Sequence, residues 1–424
     1  MAIDPEEMKR RRLLRQQQRE QKQQQSRKLF LRLGVAGAIL LVCGILILTI
    51  RPASEKTSPQ ESTASTQESS TGETAVMEQQ PTTVIHLAAA GDLNITDGVV
   101  ASGGAGYDYT KVFQDVAPLL ADADISLLNL EGNLYGEPYG TQSRSAPQKL
   151  MEALANAGLD CVQLANSYSI NQGVSGLGQT IDGVENAGLV PLGVYRTNQE
   201  FREKNGYTIC RVKGVDIAFV AFTKGMDGMA LPAGSENCVN VLYEDYDSTY
   251  QTINVQKITQ ILRAVEKEKP DLIVALLHWG SEFNDTISAS QKRIVGLLQE
   301  LGTDAIIGTH SHYVQKMSLN EQTGQFVAYS LGDFYGDAQR SGSEYGAVLD
   351  LEITKDNKSG ETAITGYSYT PIFTATGETG PVGVLRINEA ITAYENNYIE
   401  RVSEQNYTAM QYALERIAAR VAGE

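Results

Sequence analysis

The stretch Ala305–His312 reads Ala-Ile-Ile-Gly-Thr-His-Ser-His, a short apolar run closed by two histidines. Bounded by Gly308, the run reads as a buried strand with imidazoles at its carboxyl end. Working outward, the same arrangement recurs along the chain. Val84–Ala90 is followed by Gly91-Asp92-Leu93-Asn94, and Ile125–Leu128 by Asn129-Leu130-Glu131. Cys161–Leu164 leads into Ala165-Asn166-Ser167-Tyr168, and Leu272–Leu277 into His278-Trp279-Gly280. Phe326–Tyr329 leads into Ser330-Leu331-Gly332-Asp333-Phe334.

Amphipathic stretches lie between these runs at Pro147–Ala157, Leu177–Ala187, Ile253–Glu268 and Ser288–Leu301. Strands alternating with helices predict an α/β architecture with a substantially buried sheet. Ile217–Phe222 supplies a further strand, and Ala347–Ile353 and Ala363–Phe373 alternate like antiparallel partners. The tail from Asn388 reads as helix, with Tyr398, Val402, Met410, Leu414, Ile417 and Val421 on one broad apolar face. Packing on the domain is the first reading of that face; a partner-binding helix is the second.

Ligands of open α/β sheets bind beyond the carboxyl ends of the strands. Polar side chains at six such ends therefore predict one site. The chain holds only 4 histidines, and three of them (His278, His310 and His312) stand at strand ends. In an extended segment His310 and His312, two apart, point to the same side. With Asp92, Glu131 and Asn166 they offer enough nitrogen and oxygen ligands for one divalent transition metal, or a close pair, of the manganese, zinc or iron type. His86, inside its strand, reads as structural. Trp279 fits either a wall of the site or the core. Tyr135, Tyr139 and Arg144, in a Gly-rich stretch before the next helix, are candidate substrate contacts.

Charge is distributed unevenly. Residues 1–51 carry 11 Lys/Arg against 4 Asp/Glu, whereas residues 52–424 carry 24 against 47, a balance of −23. Such a body repels nucleic acid and anionic polymers at long range, so no nucleic-acid partner is expected. The basic excess belongs to residues 1–28, just before the apolar run Leu33–Ile50. Residues 29–51 approach the length that spans a bilayer, and the basic flank places the N-terminus in the cytoplasm. No small-residue cleavage site follows the run, which favours an uncleaved single-pass anchor over a signal peptide. Residues 52–82, rich in Ser, Thr, Gln and Glu, cannot bury enough surface to order and read as a tether. The expected order is a cytoplasmic tail (1–28), an anchor (29–51), a linker (52–82), an extracytoplasmic domain (83–385) and a helical tail (386–424). Cys43, Cys161, Cys210 and Cys238 follow no zinc-ribbon spacing and read as small buried apolar residues.

The ordered series Gly-Asp, Asn-Leu-Glu, Ala-Asn-x-x, His-Trp-Gly, Gly-x-His-x-His and Ser-Leu-Gly-x-Phe resembles the CapA family of capsule and poly-γ-glutamate synthesis proteins. The resemblance runs from about His86 to Pro381 and includes Ala153–Tyr168 and Gly173–Gly188. It implies a calcineurin-like, metallophosphatase-type β-sandwich flanked by helices, here preceded by one transmembrane helix. It also implies Asp92, Glu131, Asn166, His278, His310 and His312 as the metal set.

The chain departs from the family pattern at four places. Tyr168 stands where the family reads Ala-Asn-Asn-His, at the position phosphoesterases use in acid catalysis, so it becomes a candidate catalytic residue beside His278. Asp333 replaces a usual Asn, Asp97 a frequent Arg, and Asn94 stands where phosphoesterases place a ligand histidine. These changes keep a metal site and weigh against conventional phosphoester hydrolysis.

The resemblance implies a role in making, exporting or anchoring an anionic polymer such as poly-γ-glutamate. Polymer-synthesis or export membrane proteins, and the polymer or cell-wall material itself, would be the partners. A metal-dependent hydrolase of phosphoester or amide bonds is the alternative, and a binding or scaffold module with a decayed site the third.

Overall fold

The computed structural model describes residues 81–398 and 402–423. The expected cytoplasmic tail and anchor, and the linker up to residue 80, lie outside the described residues. Among the described residues, no helix is long and apolar enough to cross a membrane. Thr82, placed in the linker from sequence, opens the first strand.

Two sheets form the frame. The first contains β1 (Thr82–Asn94), β2 (Ile125–Glu131), β3 (Cys161–Gln163), β4 (Val190–Leu192), β11 (Asp333–Tyr335), β12 (Tyr345–Asp356), β13 (Thr362–Gly377) and β14 (Gly380–Arg386). Its order is β14-β13-β12-β1-β2-β3-β4, with β11 pairing with β1. The second contains β5 (Thr208–Val212), β6 (Val215–Thr223), β7 (Leu272–His278), β8 (Ala305–Thr309), β9 (Met317–Leu319) and β10 (Phe326–Ala328). Its order is β5-β6-β7-β8-β10-β9. β1 to β4 run parallel, as do β6 to β8, while β12 to β14 form an antiparallel wing.

Strand side chains alternate between faces, and the alternation builds three apolar layers. Leu127, Leu349, Val274, Leu276 and Ile307 meet between the sheets. Leu128, Leu130 and Val162 face outward against the helices at Gln148–Ala157 and Gly173–Asn186. Ala275 and Leu277 face the helices at Val255–Glu268 and Ala289–Glu300. The result is a β-sandwich flanked by helices, as the family resemblance implies. A reciprocal box between Ser288 and Gln291 caps the Ala289–Glu300 helix and fixes its start.

The tail is two helices, Ile387–Glu395 and Glu404–Ala422, rather than one. Met410, Ala413, Ile417 and Val421 join the layer between the sheets, so the tail completes the core of the domain. Cys161, Cys210 and Cys238 are all buried. β4, β5, β9, β11 and β14 had no clear periodic signal; three of them are only three residues long.

Candidate metal centre

The site is the polar end of the layer between the sheets. On β2, Ile125 and Leu127 point inward, and the same phase carries Asn129 and Glu131 inward two and four residues later. On β7, Leu272, Val274 and Leu276 hand the inward position to His278. On β8, Ala305 and Ile307 hand it to Thr309.

β1 needs a correction to join them. Ile85, Leu87 and Ala89 face inward, whereas Ala88 and Ala90 face the helices. An unbroken strand would send Asp92 outward with Ala90. The pairing of β1 with β2 shifts between Ala89 and Asp92, and Leu93 lies on the helix side. This one-residue slip exchanges the two faces and turns Asp92 inward. Gly91 allows it, because a Cβ there would lie 1.8 Å from the carbonyl oxygen of Gly332.

Asp92 is held from two sides. The Asn129 amide donates to its Oδ1 at 2.6 Å, and the backbone N–H of His310 donates to its Oδ2 at 2.8 Å. The hydroxyls of Thr309 and Ser167 each lie 3.1 Å from one ring nitrogen of His278 and set that ring's orientation. His278 Nε2 lies 3.2 Å from Glu131 Oε1, and its Nδ1 lies 3.8 Å from Asp92 Oδ1. His312 Nδ1 bonds Asp333 Oδ1 at 2.8 Å, leaving Nε2 facing Glu131 Oε2 at 3.9 Å. Phe283 stacks on the His312 ring at 4.9 Å.

His310 and His312 reach the site differently from the extended arrangement expected of the sequence. β8 ends at Thr309, and both histidines adopt left-handed backbone, with φ of 88° and 58°. Such conformations are strained for residues with a Cβ and persist where the surroundings enforce them. The two rings end 6.3 Å apart, and His310 packs edge-on to His278 at 4.4 Å.

Asn166 lies against the site with its amide engaged. Its Nδ2 donates to Asn129 Oδ1 and the Leu130 carbonyl, and its Oδ1 accepts from the Tyr168 N–H. One Oδ1 lone pair is left. Tyr168 lies at the rim, with the Arg144 guanidinium 4.4 Å above its ring. Asn94 is buried with an unsatisfied Nδ2. Asp97 instead braces the neighbouring loop by accepting from Thr141 N–H. His86 is half-exposed and pairs with Asp350 at 3.0 Å. Trp279 is fully buried, stacked on Tyr329 and bonded to its carbonyl.

The donor set fits a cation. Both Glu131 oxygens and both His310 nitrogens are buried without a hydrogen-bond partner, an arrangement that is costly unless a ligand satisfies them. Two groups share Glu131: one with His278 and His310, the other with Asp92 and His312, the ligand atoms of each lying within 4.8 Å of one another. Donors about 2.1 Å from a shared tetrahedral ion lie about 3.4 Å apart, and within the two groups His278 lies 3.2 Å and His312 3.9 Å from Glu131.

The electrostatics agree with that fit. Burial, with the Glu131 charge second, pushes Asp92 up to about 7, and burial pushes Glu131 up to about 7. Burial lowers His278 to about 3 and holds His310 well below the ordinary histidine range. Burial also opposes charge on His312, but the carboxylates of Asp333 and Glu131 outweigh it and raise that imidazole well above its usual value.

Asn129, Ser167, Thr309 and Asp333 support the site without having been assigned to it. Asn129 was legible as the inward neighbour of Glu131. Lys224 was legible as the residue after β6. It is largely buried, its pKa is lowered by burial, and its ammonium donates to the Gly280 carbonyl at 3.0 Å. Ser167 and Thr309 carry no sequence signal beyond their position.

A two-sheet sandwich with buried imidazoles and carboxylates at its parallel strand ends defines a candidate metal-binding domain. The chain belongs to the family described as bacterial capsule synthesis protein PGA_cap, whose model matches residues 86–338. It is 26% identical over 261 residues to the capsule biosynthesis protein CapA of Bacillus anthracis, covering 59% of each chain. It is 23% identical over 251 residues to the PGA biosynthesis protein CapA of Bacillus subtilis, covering 58% of this chain and 62% of that one. The matches thus span about three fifths of these relatives' lengths. Among solved structures, the calcineurin-like phosphoesterase YfkN of Bacillus subtilis aligns with a TM-score of 0.42 at 16% identity, over 80% of this chain and 99% of that one.

Proposed function

We propose that this chain is a membrane-anchored, extracytoplasmic protein that helps make, export or anchor a capsule-type anionic polymer resembling poly-γ-glutamate, with a divalent-metal centre at its strand ends. Family membership supports the polymer role, and the basic and apolar N-terminal sequence supports the anchor. The observation that carries the metal centre is the set of buried Glu131 and His310 atoms without partners.

In this reading Glu131, His278 and His310 hold one cation, and Asp92 and His312 extend the set around the shared Glu131. A divalent metal there supplies Lewis-acid polarisation of a carbonyl or phosphoryl oxygen. Asn129 and Asn166 brace the carboxylate side, and Asp333 keeps His312 oriented towards Glu131. His278, lowered by burial to about 3, is a neutral ligand rather than a proton donor near neutrality. Tyr168 is pushed up to about 12 by burial and the Glu131 charge, so it keeps its proton and offers a hydrogen bond to a substrate oxygen at the rim.

The second reading, a metal-dependent hydrolase of amide or phosphoester bonds, rests on the same unpartnered Glu131 and His310 atoms. Deleting the gene and measuring the amount, length and attachment of surface polymer tests the first reading. Changed polymer restored by the wild-type copy is expected; unchanged polymer on all three measures would sink it. Complementation with His310→Ala separates the readings, since a role independent of the metal is restored by that variant.

A further inference from the structure

A cavity lies beside the segment that follows Phe283, whose ring stacks on His312. It has a volume of about 530 Å³ and is lined by the cations Lys292, Lys316 and Arg420. Asp285, Thr286 and Tyr329 add one carboxylate and two hydroxyls. Three cations against one carboxylate is unusual in a body whose balance is −23 over residues 52–424.

Arg420 is the built element. It stands in the last turn of the Glu404–Ala422 helix, where a cation complements the helix dipole. It is only 8% exposed. Nη1 donates to the Tyr345 hydroxyl at 3.2 Å, the guanidinium lies 4.4 Å over the Tyr313 ring, and Nε is buried with no partner. Its carboxylate neighbour Asp285 is 3.6 Å from Nη2 and nearly half exposed. Lys292 and Lys316 are both exposed around it.

One loop joins the cavity to the metal centre. Phe283, stacked on His312, is fixed by its N–H to the Ser311 carbonyl, and Arg340 lies 4.8 Å over the Phe283 ring. Two residues on, Asp285 lines the cavity. Cations therefore mark both ends of a short path along residues 283–285.

We propose that this cavity seats a segment of a linear polyanion, holding the chain beyond the metal centre through Lys292, Lys316 and Arg420. The inference rests on the polymer reading above only for the identity of the anion; the seat itself requires no metal. Repeated carboxylates or phosphates suit three fixed cations because each contact releases counterions and adds to the next.

The test is a titration of the purified full-length chain with labelled poly-γ-glutamate and, separately, with inorganic polyphosphate. It compares wild type, Lys292→Gln/Lys316→Gln and the remote exposed pair Lys267→Gln/Lys358→Gln. Both lysines at the cavity are exposed, so their removal leaves the core intact. The cavity pair is expected to bind about tenfold more weakly and to lower the salt slope by about two, while the remote pair stays within about twofold. Equal losses from both pairs, no loss from the cavity pair, or no binding of either polymer overturns the seat. Polyphosphate binding that depends on the cavity pair, with poly-γ-glutamate ignored, keeps the seat and overturns the polycarboxylate identity.

Discussion

The antiparallel wing of the first sheet and the parallel strand ends of both sheets follow opposite rules. In the wing, β12 and β13 pair over eleven positions with one irregularity, and Leu349, Leu351 and Ile353 alternate inward as a half-buried strand should. At the strand ends, β1 slips its register, two histidines take left-handed backbone, and the Glu131 carboxylate is buried without a hydrogen bond. Local rules held in one region and broken in another indicate where folding energy is diverted to a ligand. The wing shows how firmly the frame is held, and the strand ends show what it holds in place.

Four substitutions sharpen that contrast, the largest effect first. Gly91→Ala forces a methyl onto the Gly332 carbonyl and should destabilise the chain by about 3 kcal/mol or more, with loss of metal from whatever folds. Leu351→Ala in the wing should cost a similar 2–4 kcal/mol through its cavity, yet leave the metal content of the folded protein unchanged. Denaturant unfolding paired with metal analysis reads both, and metal loss in Leu351→Ala would erase the distinction between the regions.

Asp333→Asn removes the carboxylate that orients His312 and should weaken metal affinity about tenfold with little change in melting temperature. An unchanged affinity would make Asp333 a bystander.

The smallest effect concerns pH. In the metal-free chain Asp92 and Glu131 have folded values raised to about 7, so their contribution favours folding at low pH and is lost as pH rises from about 4 through about 7. Glu131→Gln should therefore stabilise the metal-free chain by on the order of 1 kcal/mol at pH 8 and by little at pH 4. Equal melting shifts at both values would contradict the buried carboxylate.

Much of this was legible in the sequence because strand phase persists to the strand end. The alternation that buries Leu272, Val274 and Leu276 also delivers His278, and the same phase on β2 delivers Glu131. Asp92 lies beside His278, as its strand-end position suggested, but its inward turn depends on a bulge that no periodicity announces. His310 and His312 end 6.3 Å apart, but the segment bends where an extended one was expected. Asp333 read as a departure that added charge; only the fold reveals its bond to His312. Ser167, Thr309 and Arg420 could not be found, because their roles depend on partners at least thirty residues distant in sequence.

The decisive measurement is the metal content of the purified full-length chain, beside a Glu131→Ala/His310→Ala variant, after exposure to manganese, zinc and iron. The wild type should retain about one or two ions per chain and melt at a higher temperature when loaded, while the folded variant retains none and shows no shift. A wild type that binds no more metal than the variant would contradict the account.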